Sequence, residues 1–427
     1  MRLPGRASAA IEILADIVER HRPASEALRD WGKSHRFAGG GDRHAIGTLV
    51  YDALRKKQSA AFRMGADTPR ALVLATLRDS WGLSSEEIAA LADGEHGPAA
   101  LSDGERVALS RDVTDAPVHV VGNFPAFLAA SLTRVFGDHT AAECAALAER
   151  APVDLRVNTL KADRAKVLDA LQRFAAAAGP LSPTCVRIAA PTHEQKHVNV
   201  EAEPAHGMGW FEVQDAASQI AAALSGVKPG ETVADICAGA GGKTLALAAL
   251  MQNEGKVFAH DRDRHRLRPI FERMTRSAAT NIEVLSAEDG KKLEGHGGFD
   301  CVVVDAPCTG SGTWRRKPDA KWKLMEKTLS LRVKEQRDVL TRAASLVKKG
   351  GRIAYYTCSL LPEENTEQVA WFLADHKDYK IVPYTEQWAK TIGGVAPHSA
   401  DGSRDTLLLT PRRHGTDGFF VAVMQRV

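Results

Sequence analysis

One stretch constrains this chain more than any other: Thr232–Thr244, reading TVADICAGAGGKT. Val233, Ala234 and Ile236 make a short apolar strand. Cys237–Gly242 is small and glycine-rich, and Leu245, Leu247 and Leu250 continue as an apolar helix. Strand, glycine turn, helix is how a parallel α/β sheet leaves room for a nucleotide-like cofactor at its strand ends. The same glycines also suit a plain tight connection, so the surroundings must decide. A phosphate loop is disfavoured. Gly242-Lys243-Thr244 supplies the end of that motif, but Gly239 stands too close to Lys243 for its spacing.

The surroundings keep the α/β rhythm through residues 211–427. A helix at 213–225 leads through Lys228-Pro229-Gly230 into a strand at 232–237. Further strands are expected at 256–260, 282–285, 299–305 and 351–357, the last entered by a turn at Gly350-Gly351. Residues 381–382 and 418–424 supply the final elements, and the near-continuous apolar run from Phe419 to Met424 suits a sheet core. Residues 145–210 read as a small α+β module. Val153–Leu160 alternates as a strand, Asp163–Phe174 returns to helix, and Val186, Ile188, Val198 and Val200 mark short strands. Residues 1–144 read as helical, with apolar sets such as Ile11, Leu14 and Ile17, or Ile46, Leu49 and Val50. Ser84 or Ser85 can cap one of these helices with Glu87 in its first turn, and Phe124–Arg134 forms another.

Charge matters here through its distribution. The formal net charge of +3 over 427 residues is too small to imply a nucleic-acid partner. Residues 1–64, however, hold 12 Lys/Arg against 7 Asp/Glu, and residues 310–340 hold nine against four. Arg36 and Arg43 in the first region, and Arg315, Arg316, Lys317, Lys321 and Lys323 in the second, can face phosphates. Trp314 and Trp322 can stack on bases or pack the basic segment down, packing being expected for at least one. The six cysteines form no CxxC pair, so a zinc ribbon or disulfide framework is not expected, nor any metal site. No apolar run reaches membrane-spanning length. A reducing, cytoplasmic setting fits thiols that work as thiols.

The reactive groups fall at the expected strand ends. Asp261 ends the second strand, where a carboxylate can take ribose hydroxyls, and Asp289 follows the third. The fourth strand ends in Asp305-Ala306-Pro307-Cys308, the fifth in Thr357-Cys358-Ser359. Neighbouring parallel strands would then point Cys308 and Cys358 into one crevice beside Asp305. Either cysteine alone reads as a small buried hydrophobe; the two together, opposite a glycine loop, do not.

Asp305-Ala306-Pro307-Cys308 followed by Arg315-Arg316-x-Pro318-Asp319, paired with Thr357-Cys358-Ser359 and Glu363-x-Asn365, resembles the RsmB/NOP/SUN class of RNA cytosine-5 methyltransferases. Phe211-x-x-Gln214-Asp215 is similar to that family as well. The resemblance implies a Rossmann-like class I methyltransferase sheet at 211–427, a small RRM-like subdomain at 145–210 and a helical NusB-like RNA-binding domain at 1–144. It implies S-adenosylmethionine as donor and cytosine in RNA, foremost 16S rRNA, as target. Cys358 would be the nucleophile toward C6, Cys308 would assist release, Asp305 would contact the base, and Lys243 would support that acid. Cys237, Ala238, Gly239, Ala240, Gly241, Gly242, Lys243, Asp261, Arg266, Asp289 and Asp305 would bind the cofactor. A monomer with no obligatory protein partner is expected. A tRNA methyltransferase and a non-catalytic RNA-binding assembly factor are the alternatives. One departure stands out: where the family carries a proline in its AxGG segment, this chain has Ala238-Gly239-Ala240-Gly241-Gly242, a more flexible backbone.

Overall fold

The computed structural model describes residues 1–111, 115–195, 198–286 and 288–427. Twelve strands are found among them. β1 (Val153–Val157), β2 (Ala177–Ala178), β3 (Cys185–Ile188) and β4 (Phe211–Val213) form a small antiparallel sheet in the order β2-β3-β1-β4. β5 (Thr232–Asp235), β6 (Lys256–His260), β7 (Ile282–Leu285), β8 (Phe299–Asp305), β9 (Val347–Thr357), β10 (Tyr379–Val382) and β12 (Phe419–Arg426) form the large sheet. Its order is β10-β12-β9-β8-β5-β6-β7, with β11 (Leu407–Leu409) pairing β12.

The order of the large sheet places the site. β5, β6, β7, β8 and β9 run parallel, and the order reverses between β5 and β8. At such a switch point the connections leave in opposite directions and open a crevice beyond the carboxyl ends of the strands. β12 then inserts antiparallel between β9 and β10. Phe419–Met424 is buried throughout, as its apolar run requires.

Three local expectations need correction. Residue 213 does not begin a helix: Phe211–Val213 pairs with β1, and the helix runs Ala216–Leu224 from an Asp215 cap. Val198 and Val200 form no strand, and Val200–Ala202 is a short 3-10 turn. Gly350-Gly351 does not turn into β9 but lies within it. The register jumps there from Phe299 opposite Val347 to Cys301 opposite Arg352, and Gly350 takes φ +80°, so the glycines absorb a bulge. The Ser84 cap is present: its hydroxyl takes the Glu87 N–H and Glu87 returns a carboxylate to the Ser84 N–H, a capping box.

The helical region divides by packing. Ala7 through Leu109 share one core, built from the helices Leu3–Arg20, Gly40–Arg55 and Pro69–Asp79 with their neighbours. Phe124, Leu128, Leu132, Phe136, Cys144 and Leu147 instead join the core of the large sheet, with Tyr355, Phe372 and Phe420. Arg134 meets Glu367 and Arg413 meets the fully buried Glu143 on the sheet side, while Lys56–Glu149 and Asp52–Arg150 tie the two parts together. No helix among the described residues is long and apolar enough to cross a membrane.

Candidate active site

The site is assembled at the carboxyl ends of β5, β6, β8 and β9. After β5 the chain turns through Cys237–Gly241 into the helix Gly242–Leu250, so Lys243 sits in that helix's first turn. A cation is unfavourable at a helix N-terminus. Asp305, at the end of β8, supplies the countercharge: Lys243 Nζ donates to its Oδ2 at 2.8 Å and lies 4.7 Å from the centre of the Phe419 ring.

β8 and β9 are adjacent, so Cys308 and Cys358 leave the sheet side by side, with their Sγ atoms 3.4 Å apart. That contact, and then burial, holds the Cys308 thiol well above its ordinary pKa. Backbone bonds tie the two loops together. Gly312 N–H donates to the Cys358 carbonyl at 2.9 Å, and Gly418 N–H donates to the Gly312 carbonyl at 2.8 Å. Residue 312 must be glycine, because a Cβ there would stand 2.0 Å from the Gly418 oxygen.

A buried carboxylate absent from the sequence-derived site braces these loops. Glu364 accepts the Thr309 N–H at 2.8 Å, the Thr309 hydroxyl at 2.5 Å and the Gln336 amide at 3.1 Å. The other Gln336 contact is to the Pro307 carbonyl, 2.9 Å away. Burial pushes the Glu364 carboxyl above its usual range. In the sequence it is only the unspecified position of Glu363-x-Asn365 after Cys358.

The cofactor side is built around Asp261, just past β6 and almost fully buried. Its Oδ2 accepts the Gly239 N–H and its Oδ1 the Asp263 N–H, each at 2.9 Å. A pocket beside it is lined by Ile236, Cys237, Asp261, Arg266, Asp305, Pro307 and Val339. Two carboxylates at strand ends, Asp261 and Asp305, with Ile236, Pro307 and Val339 between them and a glycine loop alongside, suit the hydroxyls and ring of an adenosyl group, and Arg262, Arg266 and Arg342 stand at the same pocket. Arg266 is largely exposed, 3.7 Å from Asp261. Asp289 is half-buried, outside the residues lining that pocket, and engages Ser286 and Lys292. Asp235, beneath the loop, holds the Thr244 hydroxyl at 2.7 Å, and burial pushes its carboxyl up to about 7.

The basic segment behaves differently from expectation. Arg315 is buried and pairs with Asp417, and Lys321 is 1% exposed. Neither faces phosphates. Lys321 Nζ donates to the Arg55 carbonyl at 2.9 Å, Trp322 Nε1 to the Leu54 carbonyl at 2.6 Å, and Lys323 Nζ to the Arg22 carbonyl at 3.0 Å. Leu54 and Arg55 end a helix, where the last carbonyls have no partner further along it, and Arg22 lies in the linker just before the helix Ala24–Ser34, whose Ala24 N–H donates to Asp319. The donors on the Leu54 and Arg55 carbonyls, the Lys323 contact and the Asp319 carboxylate at the positive end of the next helix dock this segment on the N-terminal helices. Trp314 is buried in the sheet core and Trp322 packs on the helical core. Arg316 is partly exposed but paired with Asp215 and Asp417. Lys317, Arg36 and Arg43 remain exposed.

A family model described as 16S rRNA methyltransferase RsmB/F matches residues 222–425, and an RsmF/B-like methyltransferase ferredoxin-like domain matches residues 124–194. The chain is 32% identical over 310 residues to the probable ribosomal RNA small subunit methyltransferase B of Synechocystis sp., covering 71% of this chain and 67% of that protein. It is 34% identical over 276 residues to the protein of the same description in Bacillus subtilis, covering 64% and 59%. The matched region therefore spans less than two thirds of the Bacillus protein. A crystal structure of a protein called PH0851 superposes with a TM-score of 0.75 at 27% identity, covering 100% of both chains.

Proposed function

Since this chain belongs to the RsmB/F family of 16S rRNA methyltransferases, we propose that it methylates C5 of a cytosine in 16S rRNA with S-adenosylmethionine as donor. The observation that carries this reading is the Cys308–Cys358 contact at 3.4 Å beside the Lys243–Asp305 pair. C5 of cytosine is a poor nucleophile. A thiolate adding at C6 makes it enamine-like, which explains one thiol at this site. The second serves the reverse step, when the C5 proton must leave and the C6–S bond break.

In this reading Cys358 forms the bond to C6 and is the leaving group at the end. Once the Cys358 sulfur is bonded to carbon, the contact that holds the Cys308 proton is gone, so Cys308 ionises to solvent and its thiolate takes the C5 proton; the electron pair of that C–H bond restores the ring double bond as Cys358 departs as a thiolate. Asp305 faces the N3/N4 edge and stabilises the base while N3 carries a proton, and Lys243 keeps Asp305 oriented. The target base must leave its stack to reach the crevice. When bound, S-adenosylmethionine supplies an electrophilic methyl group. The 237–243 loop, Asp261, Arg266, Asp289 and Asp305 would hold it, with the exposed Arg266 at the outer end.

The parts take corresponding roles. The large sheet is the Rossmann-like class I methyltransferase domain, supported by its strand order. The β1–β4 sheet is the RRM-like module, and the helical region is a NusB-like domain that contacts RNA through Arg36 and Arg43, with Lys317 and Arg316 at the crevice. The enzyme works in the cytoplasm as a monomer without an obligatory protein partner. The test is transfer of labelled methyl from S-adenosylmethionine to purified 16S rRNA, read as 5-methylcytosine after digestion. Label in tRNA alone would overturn the rRNA assignment, and label in neither naked nor assembling rRNA, nor in tRNA, would overturn the activity.

A further inference from the structure

The cofactor loop contains three glycines in four residues, Gly239-Ala240-Gly241-Gly242. Such a backbone has many conformations to lose when a ligand orders it, which weakens binding unless something else holds the loop beforehand. The structure contains that something. Arg273, on the helix Ile270–Ser277, donates from Nη1 to the Ala240 carbonyl at 2.6 Å. Its Nε and Nη2 reach Glu212 Oε2 at 3.1 and 2.9 Å. Glu212 lies on β4 of the small sheet, is 3% exposed, and also takes Arg276 Nη2 at 2.6 Å. The same helix closes on the loop at a second point: a Cβ on Gly241, which has φ +83°, would stand 2.4 Å from Ile270 Cγ1.

We propose that Arg273 is a positioning residue for cofactor binding, clamping the Ala240 carbonyl so that the glycine loop is ordered before the adenosyl ligand arrives. The inference rests on the methyltransferase reading and deepens it. Arg273 touches neither thiol nor Asp305; it acts through the loop. A guanidinium fork suits the task, because one edge stays on the buried carboxylate while the other end reaches the carbonyl, which a lysine ammonium cannot do with the same reach. Through Glu212 the clamp also fastens the loop to the small sheet.

Calorimetric titration of the full chain with S-adenosylhomocysteine, comparing the native protein with Arg273→Met and Arg273→Lys, tests this. The expected result is binding roughly tenfold to a hundredfold weaker in Arg273→Met, the usual range for losing a hydrogen bond to a charged group. A smaller loss is expected in Arg273→Lys. RNA affinity stays as in the native protein. Amide hydrogen exchange across residues 238–243 should quicken while Val233 and Ala234 stay protected, which a general loss of fold would not produce. Native-like affinity or native-like loop exchange in a folded Arg273→Met would overturn the clamp, as would faster exchange spread evenly over β5 and the loop. Failure of the native chain itself to bind S-adenosylhomocysteine would instead overturn the methyltransferase reading.

Discussion

Glu364, with no solvent exposure, accepts the backbone N–H of Thr309 at 2.8 Å, the residue directly after Cys308. It stands on the segment that follows Cys358, so one carboxylate sets the relation of the two thiol loops. Glu364→Gln replaces an acceptor-only group with one that must also donate, leaving a Thr309 or Gln336 donor without its partner. Turnover should fall about tenfold to a hundredfold, with the KM for S-adenosylmethionine near native. Trapped covalent RNA should increase, seen as a slow-migrating band on a denaturing gel. An unchanged kcat would show that the brace is not needed.

The two thiols should separate by phenotype. Cys358→Ala should abolish methylation while leaving S-adenosylhomocysteine binding intact by calorimetry. Cys308→Ser should retain attack but not release, and accumulate the RNA adduct. The reverse pattern would exchange the two roles.

Asp261 holds the cofactor loop by the Gly239 N–H at 2.9 Å and lies at the strand end where a ribose would sit. Asp261→Ala should weaken S-adenosylhomocysteine binding by about tenfold or more, with RNA affinity in a filter assay unchanged. Equal losses for both ligands would argue for a damaged fold rather than a cofactor contact.

Lys321 makes docking of the helical region pH-dependent. Burial pushes the group down to about 7 from 10.5, the nearby Arg55 adding to the effect and Cys144 opposing it. Between those values the unfolded chain binds a proton that the folded chain does not, so stability rises with pH across this window. The slope from this one group is at most about 1.4 kcal/mol per pH unit. Lys321→Met removes it. Urea unfolding at pH 7 and pH 9 should therefore show the native protein gaining on the variant at the higher pH. A difference that does not change with pH would place the titration elsewhere.

How much was legible follows from the range of each interaction. β6 and β8 match their expected bounds because a largely apolar run between a glycine and an aspartate is a local signal, and β7 matches through Ile282, Val284 and Leu285. The Cys308–Cys358 pairing was legible because adjacent parallel strands bring their ends together whatever the details of packing. Val213 was misjudged because it follows a partner 58 residues upstream, Leu155, rather than its own neighbours. Arg315 and Lys321 looked like an RNA surface because a run of positive charge does not reveal whether it meets phosphates or helix carbonyls. Glu364 and Arg273 carried no motif at all, since each acts through a contact with a distant loop.

The bond from Lys323 to the Arg22 carbonyl joins residues 301 apart in sequence. A ribosome adding roughly 5–20 residues per second needs on the order of 15–60 s to span that distance. The core from Ala7 to Leu109 can close early in that interval, since its contacts lie within the segment already made. It then waits, with the Arg22, Leu54 and Arg55 carbonyls uncovered, until the segment following Cys308 emerges. The newborn chain thus passes through a stage in which its first helices are folded but cannot yet be held against the catalytic sheet.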